Sequence, residues 1–248
     1  MDFGLEGKHI LITGSYDGFG KSLACILSAE GARLTLHGRK QREDSLKALC
    51  DEIPNADYEC ADLSEIDAVP AFFKSVNDKC PVDMLVNNAA VWPTAFVHEM
   101  TTESFVDTLS INLVSPFILC REFINALSAR GAKGKIVNMV SQAAFHGSTS
   151  GHAHYAASKA GMVSFSISLA REVASRGINV NCVAPGMMRT PMNKEALSER
   201  EDEYLKRIPL GRIADPSEIA YSVAFLLSNK SDYITGATLD LTGGMLMR

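Results

Sequence analysis

Short apolar runs alternate along the chain with longer segments whose apolar residues recur at helical spacing. The runs fall at residues 9–13, 33–36, 58–60, 84–86, 135–140, 179–183 and 238–241, and they predict β-strands. Between them, residues 19–30, 64–78, 104–130, 155–176 and 216–227 carry the pattern of helices that bury one face. The last of these opens Asp215-Pro216-Ser217-Glu218, a capping residue followed by proline at the first helical position. Strand and helix in alternation predict α/β architecture: a doubly wound parallel sheet of about seven strands, helices on both faces, right-handed crossovers. No repeat or linker-like tract divides the chain, so residues 1–248 read as a single domain.

Composition narrows the function. With 248 residues, 46% hydrophobic and 21% charged, the chain can fill a sizeable core, which excludes intrinsic disorder and a disulfide-stapled scaffold. A net charge of −5 lacks the basic footprint of a nucleic-acid binder. Residues 1–6 show neither the basic nor the apolar part of a signal peptide. Residues 136–158 carry no Lys, Arg, Asp or Glu, but their Asn, Ser, Gln, Thr, Gly and His content argues against a membrane span. The six cysteines are scattered without a CxxC pair and read as reduced thiols. A cytoplasmic protein with no nucleic-acid or membrane partner is expected.

The first strand runs into Thr13-Gly14-Ser15-Tyr16-Asp17-Gly18-Phe19-Gly20, and a helix follows. Gly14 permits a tight turn, Gly18 lets backbone approach a phosphate, and Gly20 lets helix pack on strand, as in a Rossmann-type nucleotide fold. The spacing is GxxxGxG, and close packing without a ligand is the alternative. The second strand ends at His37-Gly38-Arg39. An acid there would bind a ribose 2′-OH; Arg39, followed by Lys40 and Arg42, instead suits a 2′-phosphate, unless this is a solvated basic turn. Further on, Tyr155 and Lys159 stand at i and i+4 on one helix face. A phenol titrating near 10 is a poor acid–base catalyst at neutral pH, and a nearby ammonium would lower that value. Ser141 ends an apolar strand, where open parallel sheets bind ligands.

Together these residues resemble the short-chain dehydrogenase/reductase family over residues 7–245. Thr13 to Gly20 match its TGxxxGxG, Asp62-Leu63 its adenine-side pair, and Asn87-Asn88-Ala89-Ala90 its NNAG. Asn112, Ser141, Tyr155 and Lys159 match its active-site residues, and residues 185–190 its nicotinamide-side segment. The resemblance implies a hydride transfer between NADP(H), with NAD(H) left open, and a carbonyl or secondary alcohol. Tyr155 would exchange the proton, Lys159 lower its pKa and hold ribose hydroxyls, Ser141 orient the carbonyl, and Asn112 hold a relay water. Gly14, Tyr16, Asp17, Gly18, Phe19, Gly20, Arg39, Asp62, Leu63, Asn88, Ala89, Tyr155, Lys159, Pro185, Gly186, Met188 and Thr190 would line the cofactor. Three departures stand out: Ala90 where glycine is usual, Asp17 at an often basic position, and one extra residue between Ser141 and Tyr155, placed in a loop over residues 145–154.

Within the family the chain is most like 3-oxoacyl-[acyl-carrier-protein] reductases, judged by residues 168–178 and by Thr242-Gly243-Gly244-Met245. Arg130, Lys133 and Arg176 are then a candidate basic edge for an acyl carrier protein. A sugar, steroid or other small-alcohol dehydrogenase, and a non-catalytic dinucleotide sensor, remain as alternatives. A homotetramer is expected from the apolar richness of residues 104–130 and 155–176 and from the resemblance. His146, His152 and His154 lack the further ligands of a metal site and read as loop residues at the cleft, so no metal is expected. Met187, Met188, Met192, Trp92 and Phe145 are either core or the wall of an apolar substrate pocket. Residues 194–207 read as a solvated amphipathic helix or a lid, and Cys182 as a buried small hydrophobe.

Overall fold

The computed structural model describes residues 3–148 and 150–247. Met1, Asp2, Thr149 and Arg248, which the sequence reading included in the domain, lie outside the described residues. Seven strands form one parallel sheet: β1 His9–Ile12, β2 Arg33–Gly38, β3 Ala56–Cys60, β4 Met84–Asn87, β5 Gly134–Met139, β6 Ile178–Pro185 and β7 Thr238–Leu241. Their order across the sheet is β3-β2-β1-β4-β5-β6-β7. The order reverses between β1 and β4, which opens a crevice at their C-terminal ends.

Strand side chains alternate between two apolar layers. Ile10, Ile12, Met84, Val86, Val137 and Met139 face one layer, completed by α1 Gly18–Ala29, α2 Glu43–Glu52 and a late helix, Pro216–Leu227. Leu11, Leu85 and Ile136 face the other, filled by Phe72, Phe73 and Val76 of α3 Val69–Lys79 and by Phe123 of a later helix. Capping accounts for the sharpest boundary: Asp215 accepts from Ser217 N–H at 2.9 Å while Glu218 accepts from Asp215 N–H at 2.9 Å, and Pro216 follows.

The structure corrects four element predictions. Helix α2 occupies a polar stretch whose apolar face is only Leu46 and Leu49. The helix expected from residue 64 becomes a single turn at Ile66–Ala68 and then α3, because Pro70 is tolerated only in a first turn. The segment expected as one helix over residues 104–130 is α4 Thr102–Leu109, a π-helical turn Ser110–Val114 and α5 Ser115–Ala129. Part of the loop expected before Tyr155 is a short helix, α6 Ala143–His146, ahead of α7 Ala153–Val173. Helix α8 Lys194–Arg207 and α9 Pro216–Leu227 complete the chain. By length and composition Thr102–Ala129 would suffice to cross a membrane, yet it packs beside α3 and α7.

Candidate active site

The glycine turn is wired to β4 before any ligand enters. Thr13 Oγ1 accepts from Asn88 N–H at 2.9 Å and Ala89 N–H at 3.0 Å, and Asn88 Nδ2 donates to Thr13 O and Gly14 O. Gly14 sits at φ +65 against Ala89, and a Cβ on Gly20 would lie 2.2 Å from Gly14 O. Only glycine fits there. Asp17 caps the start of α1 without a side-chain hydrogen bond, so the N–H groups of that first turn stay free. A cradle of backbone donors at a helix N-terminus fits a pyrophosphate.

Beneath the turn, His37 is buried, its Nδ1 accepting from Gly14 N–H at 3.2 Å and its Nε2 donating to Ala61 O at 3.2 Å. Burial lowers it to about 4, so it is neutral at pH 7. Above it, the Tyr16 ring covers Gly38, and the Arg42 guanidinium lies 5.2 Å over that ring. Of the three cations that end β2, Lys40 is neutralised by Glu43 at 2.6 Å. Arg39 has no ion pair among the described residues and faces the same cleft as Asp62. Asp17 lies close enough to Arg42 for that charge to oppose the rise in its pKa that burial causes.

One cleft of about 310 Å³ joins these groups to the C-terminal ends of β5 and β6. Every cofactor residue named from sequence lines it, as do Ser141, Tyr155 and Lys159. Asn112 does not. It is buried behind the wall, exchanging both amide groups with the Val91 backbone at 2.9 Å and donating to Ser158 Oγ at 3.2 Å. The π-helical turn carries it inward, and a single helical periodicity gave no sign of that turn.

At the catalytic end, Ser141 and Tyr155 line the cleft together, and the Ser141 hydroxyl opposes the rise that burial causes in the phenol's pKa. Burial nevertheless pushes that phenol up to about 12. Lys159 is buried, its Nζ donates to Met139 O at 2.8 Å, and it lies 5.6 Å from the Tyr155 ring centroid. Burial lowers it to about 8. Burial thus dominates both groups, raising the phenol and lowering the ammonium, while Lys159 stands beside the Tyr155 ring as the i, i+4 spacing predicts.

Beyond Tyr155 the cleft widens toward Trp92, His146, His152, Met187, Met192, Tyr204 and Arg207. The sequence reading had weighed the methionines, Trp92 and the histidines, but it missed Tyr204 and Arg207, hidden in a charge-rich helix. The histidines separate: His146 and His152 line the cleft, whereas His154 is buried outside it with neither ring nitrogen bonded. Phe145 packs with Val140 and Met162 and is core, not pocket wall. Among the described residues no cluster of His, Cys, Asp or Glu could hold a metal.

A doubly wound fold with a glycine-cradled phosphate site and a Ser-Tyr-Lys group at the strand ends defines a dinucleotide-linked oxidoreductase. The chain belongs to the short-chain dehydrogenase/reductase family: residues 14–246 match the family model described as Enoyl-(Acyl carrier protein) reductase. It is 38% identical to the 3-oxoacyl-[acyl-carrier-protein] reductase of Vibrio cholerae over 98% of this chain and 99% of that protein. It is 39% identical to that of Escherichia coli, covering 98% of each. A Beutenbergia cavernae structure with bound NADP, assigned as an NAD(P)-dependent gluconate 5-dehydrogenase, superposes with TM-score 0.93 at 31% identity over 99% of both chains. An Agrobacterium tumefaciens structure with NADP, assigned as a 2-deoxy-d-gluconate 3-dehydrogenase, gives 0.90 at 33% identity over 100% of this chain and 99% of that one.

Proposed function

We propose that the chain is a cytoplasmic reductase that uses NADPH to reduce the ketone of a 3-oxoacyl thioester. The observation that carries this reading is the grouping of Ser141, Tyr155 and Lys159 in one cleft with the glycine turn at the strand ends. When bound, NADPH supplies the hydride to the carbonyl carbon. Ser141 holds the carbonyl oxygen, and Tyr155 gives it the proton as negative charge develops there, leaving a secondary alcohol. Lys159 holds the ribose hydroxyls and then stabilises the phenolate and returns a proton to it. Asn112 acts from behind, fixing the Val91 backbone and Ser158. The free Arg39 supports a 2′-phosphate, as do the two relatives solved with NADP. The thioester is supported by the likeness to 3-oxoacyl reductases along the full chain.

We also propose that the protomer works in a homotetramer and that an acyl carrier protein docks across it. Arg130, Lys133 and Arg176 lie near the N-terminal ends of β5 and β6, far from the cleft of their own protomer. Helix α7 runs from Tyr155 toward that basic edge. Antiparallel packing of α7 on its copy would bring one protomer's edge beside the other's cleft. Phe105, Val106, Phe117 and Ile167 leave apolar area exposed on the helices that would pair. The test is NADPH oxidation with acetoacetyl-acyl carrier protein, combined with light scattering. Turnover by a tetramer, with NADPH favoured over NADH, is expected. No turnover of any 3-oxoacyl thioester overturns the substrate class, and a stable monomer overturns the docking.

A further inference from the structure

Among the polar side chains that line the cleft outside the catalytic group, one is fixed by several contacts at once. His152 is held rigidly at the start of α7. Its backbone bridges to Ala95, and its carbonyl accepts from Ala156 N–H at 2.9 Å. Its ring stacks on Trp92 at 4.1 Å with the planes 21° apart, and Trp92 in turn meets the Tyr155 ring edge-on at 6.5 Å. Its Nδ1 donates to Pro93 O at 2.8 Å, which fixes the tautomer. Only 3% of the residue is exposed, but it lines the cleft, and Nε2 has no partner among the described residues. A neutral imidazole with Nδ1–H committed presents one lone pair and nothing else. That makes Nε2 an acceptor in the wall beside the catalytic tyrosine.

We propose that His152 Nε2 is a substrate-recognition acceptor, bonding an N–H or O–H carried by the substrate beyond its reacting carbonyl. It selects ketones that bear a donor on that side over ketones that bear none. The donor has two chemical sources: the amide N–H of a pantetheine-type thioester arm, or a hydroxyl of a polyhydroxy ketone. Leaving a desolvated acceptor unpaired disfavours a substrate that lacks the donor. Burial also opposes charging of the ring, which keeps the lone pair available. The proposal rests on the reductase reading above.

The experiment compares wild type with His152→Asn and His152→Gln. The Asn amide can keep the donation to Pro93 O but has nothing at the Nε2 position, while the Gln amide can place an acceptor there. Steady-state kinetics with NADPH use the acetoacetyl thioester of N-acetylcysteamine, which has an amide N–H, 5-keto-D-gluconate, which has hydroxyls, and ethyl acetoacetate, which has neither. His152→Asn is expected to lower kcat/KM about tenfold for the donor-bearing substrate, chiefly through KM, and to leave ethyl acetoacetate within about twofold. His152→Gln should restore part of the loss. Loss confined to the thioester identifies the amide arm, and loss confined to the keto acid identifies a hydroxyl. An equal fall on ethyl acetoacetate, or no fall on either donor-bearing substrate, overturns the proposal while leaving the reductase reading intact. Wild type that reduces none of the three overturns that reading and this proposal with it.

Discussion

The two ends of the cleft are built by different means. At the cofactor end, Thr13, Gly14, His37 and Asn88 are joined by part-buried hydrogen bonds between three strand ends. At the substrate end, α8 is tied to the loop after β6 by an exposed Arg189–Glu201 pair at 2.5 Å and by Asn193 donating to Met188 O. The first end rests on a hydrogen-bond network, and the second adds to its exposed polar contacts an apolar cluster of Met187, Leu197, Ile208 and Ile213. A shared cofactor needs one geometry, whereas substrates within one family differ. The contrast sets a hydrogen-bonded network where the ligand is constant against apolar packing and exposed ion pairs where it varies.

Tyr155→Phe acts where the two ends meet and should have the largest effect. Keeping the ring but removing the proton donor is expected to cost about 10²–10⁴-fold in kcat, with cofactor affinity unchanged by fluorescence titration. Retention of a tenth of the wild-type rate would unseat Tyr155 as the acid.

Acid tests the wiring of the cofactor end. His37 takes a proton far less readily folded, at about 4, than at its ordinary 6.5. Its stabilising contribution is whole above pH 6.5 and is lost as pH falls toward 4, because only the unfolded chain gains the proton easily. Urea melts should show about 3 kcal/mol lost over that window. His37→Gln should flatten the slope, and an unchanged slope would place the acid sensitivity elsewhere.

Arg39→Ala probes the cofactor end from outside its buried network. Loss of a charge-assisted bond to the 2′-phosphate, worth about 1.5–3 kcal/mol, should lower kcat/KM for NADPH about 10- to 100-fold. The value for NADH should stay within about twofold, and parallel losses with both cofactors would count against phosphate recognition.

The smallest effect belongs to Arg189→Ala. An exposed pair contributes little, so the melting temperature should hold and substrate KM should rise less than about threefold. A large loss of stability would mean that α8 is fastened as firmly as the glycine turn, and the contrast between the two ends would fail.

Legibility in the sequence followed the same divide. The seven strands and the residues that line the cleft could be read because glycine spacing, strand ends and the i, i+4 Tyr-Lys pair are local patterns. Helix α2 escaped because only Leu46 and Leu49 mark its buried face. Tyr204 and Arg207 escaped because α8 meets the cleft through tertiary packing that no local period encodes. Spacing likewise shows that Lys159 is near Tyr155, but not how deeply both are buried.

The π-helical turn at Ser110–Val114 has a consequence for how this chain tolerates change in length. Each residue advances an α-helix by about 100°, so the extra residue in a π turn offsets the phase of everything that follows. Deleting one residue there would let Thr102–Ala129 regularise into a single straight helix. It would do so by turning α4 out of step with α5, moving Phe105 and Val106 around the cylinder and drawing the Asn112 amide away from Val91. A shorter chain would gain a more regular helix and lose its back wall.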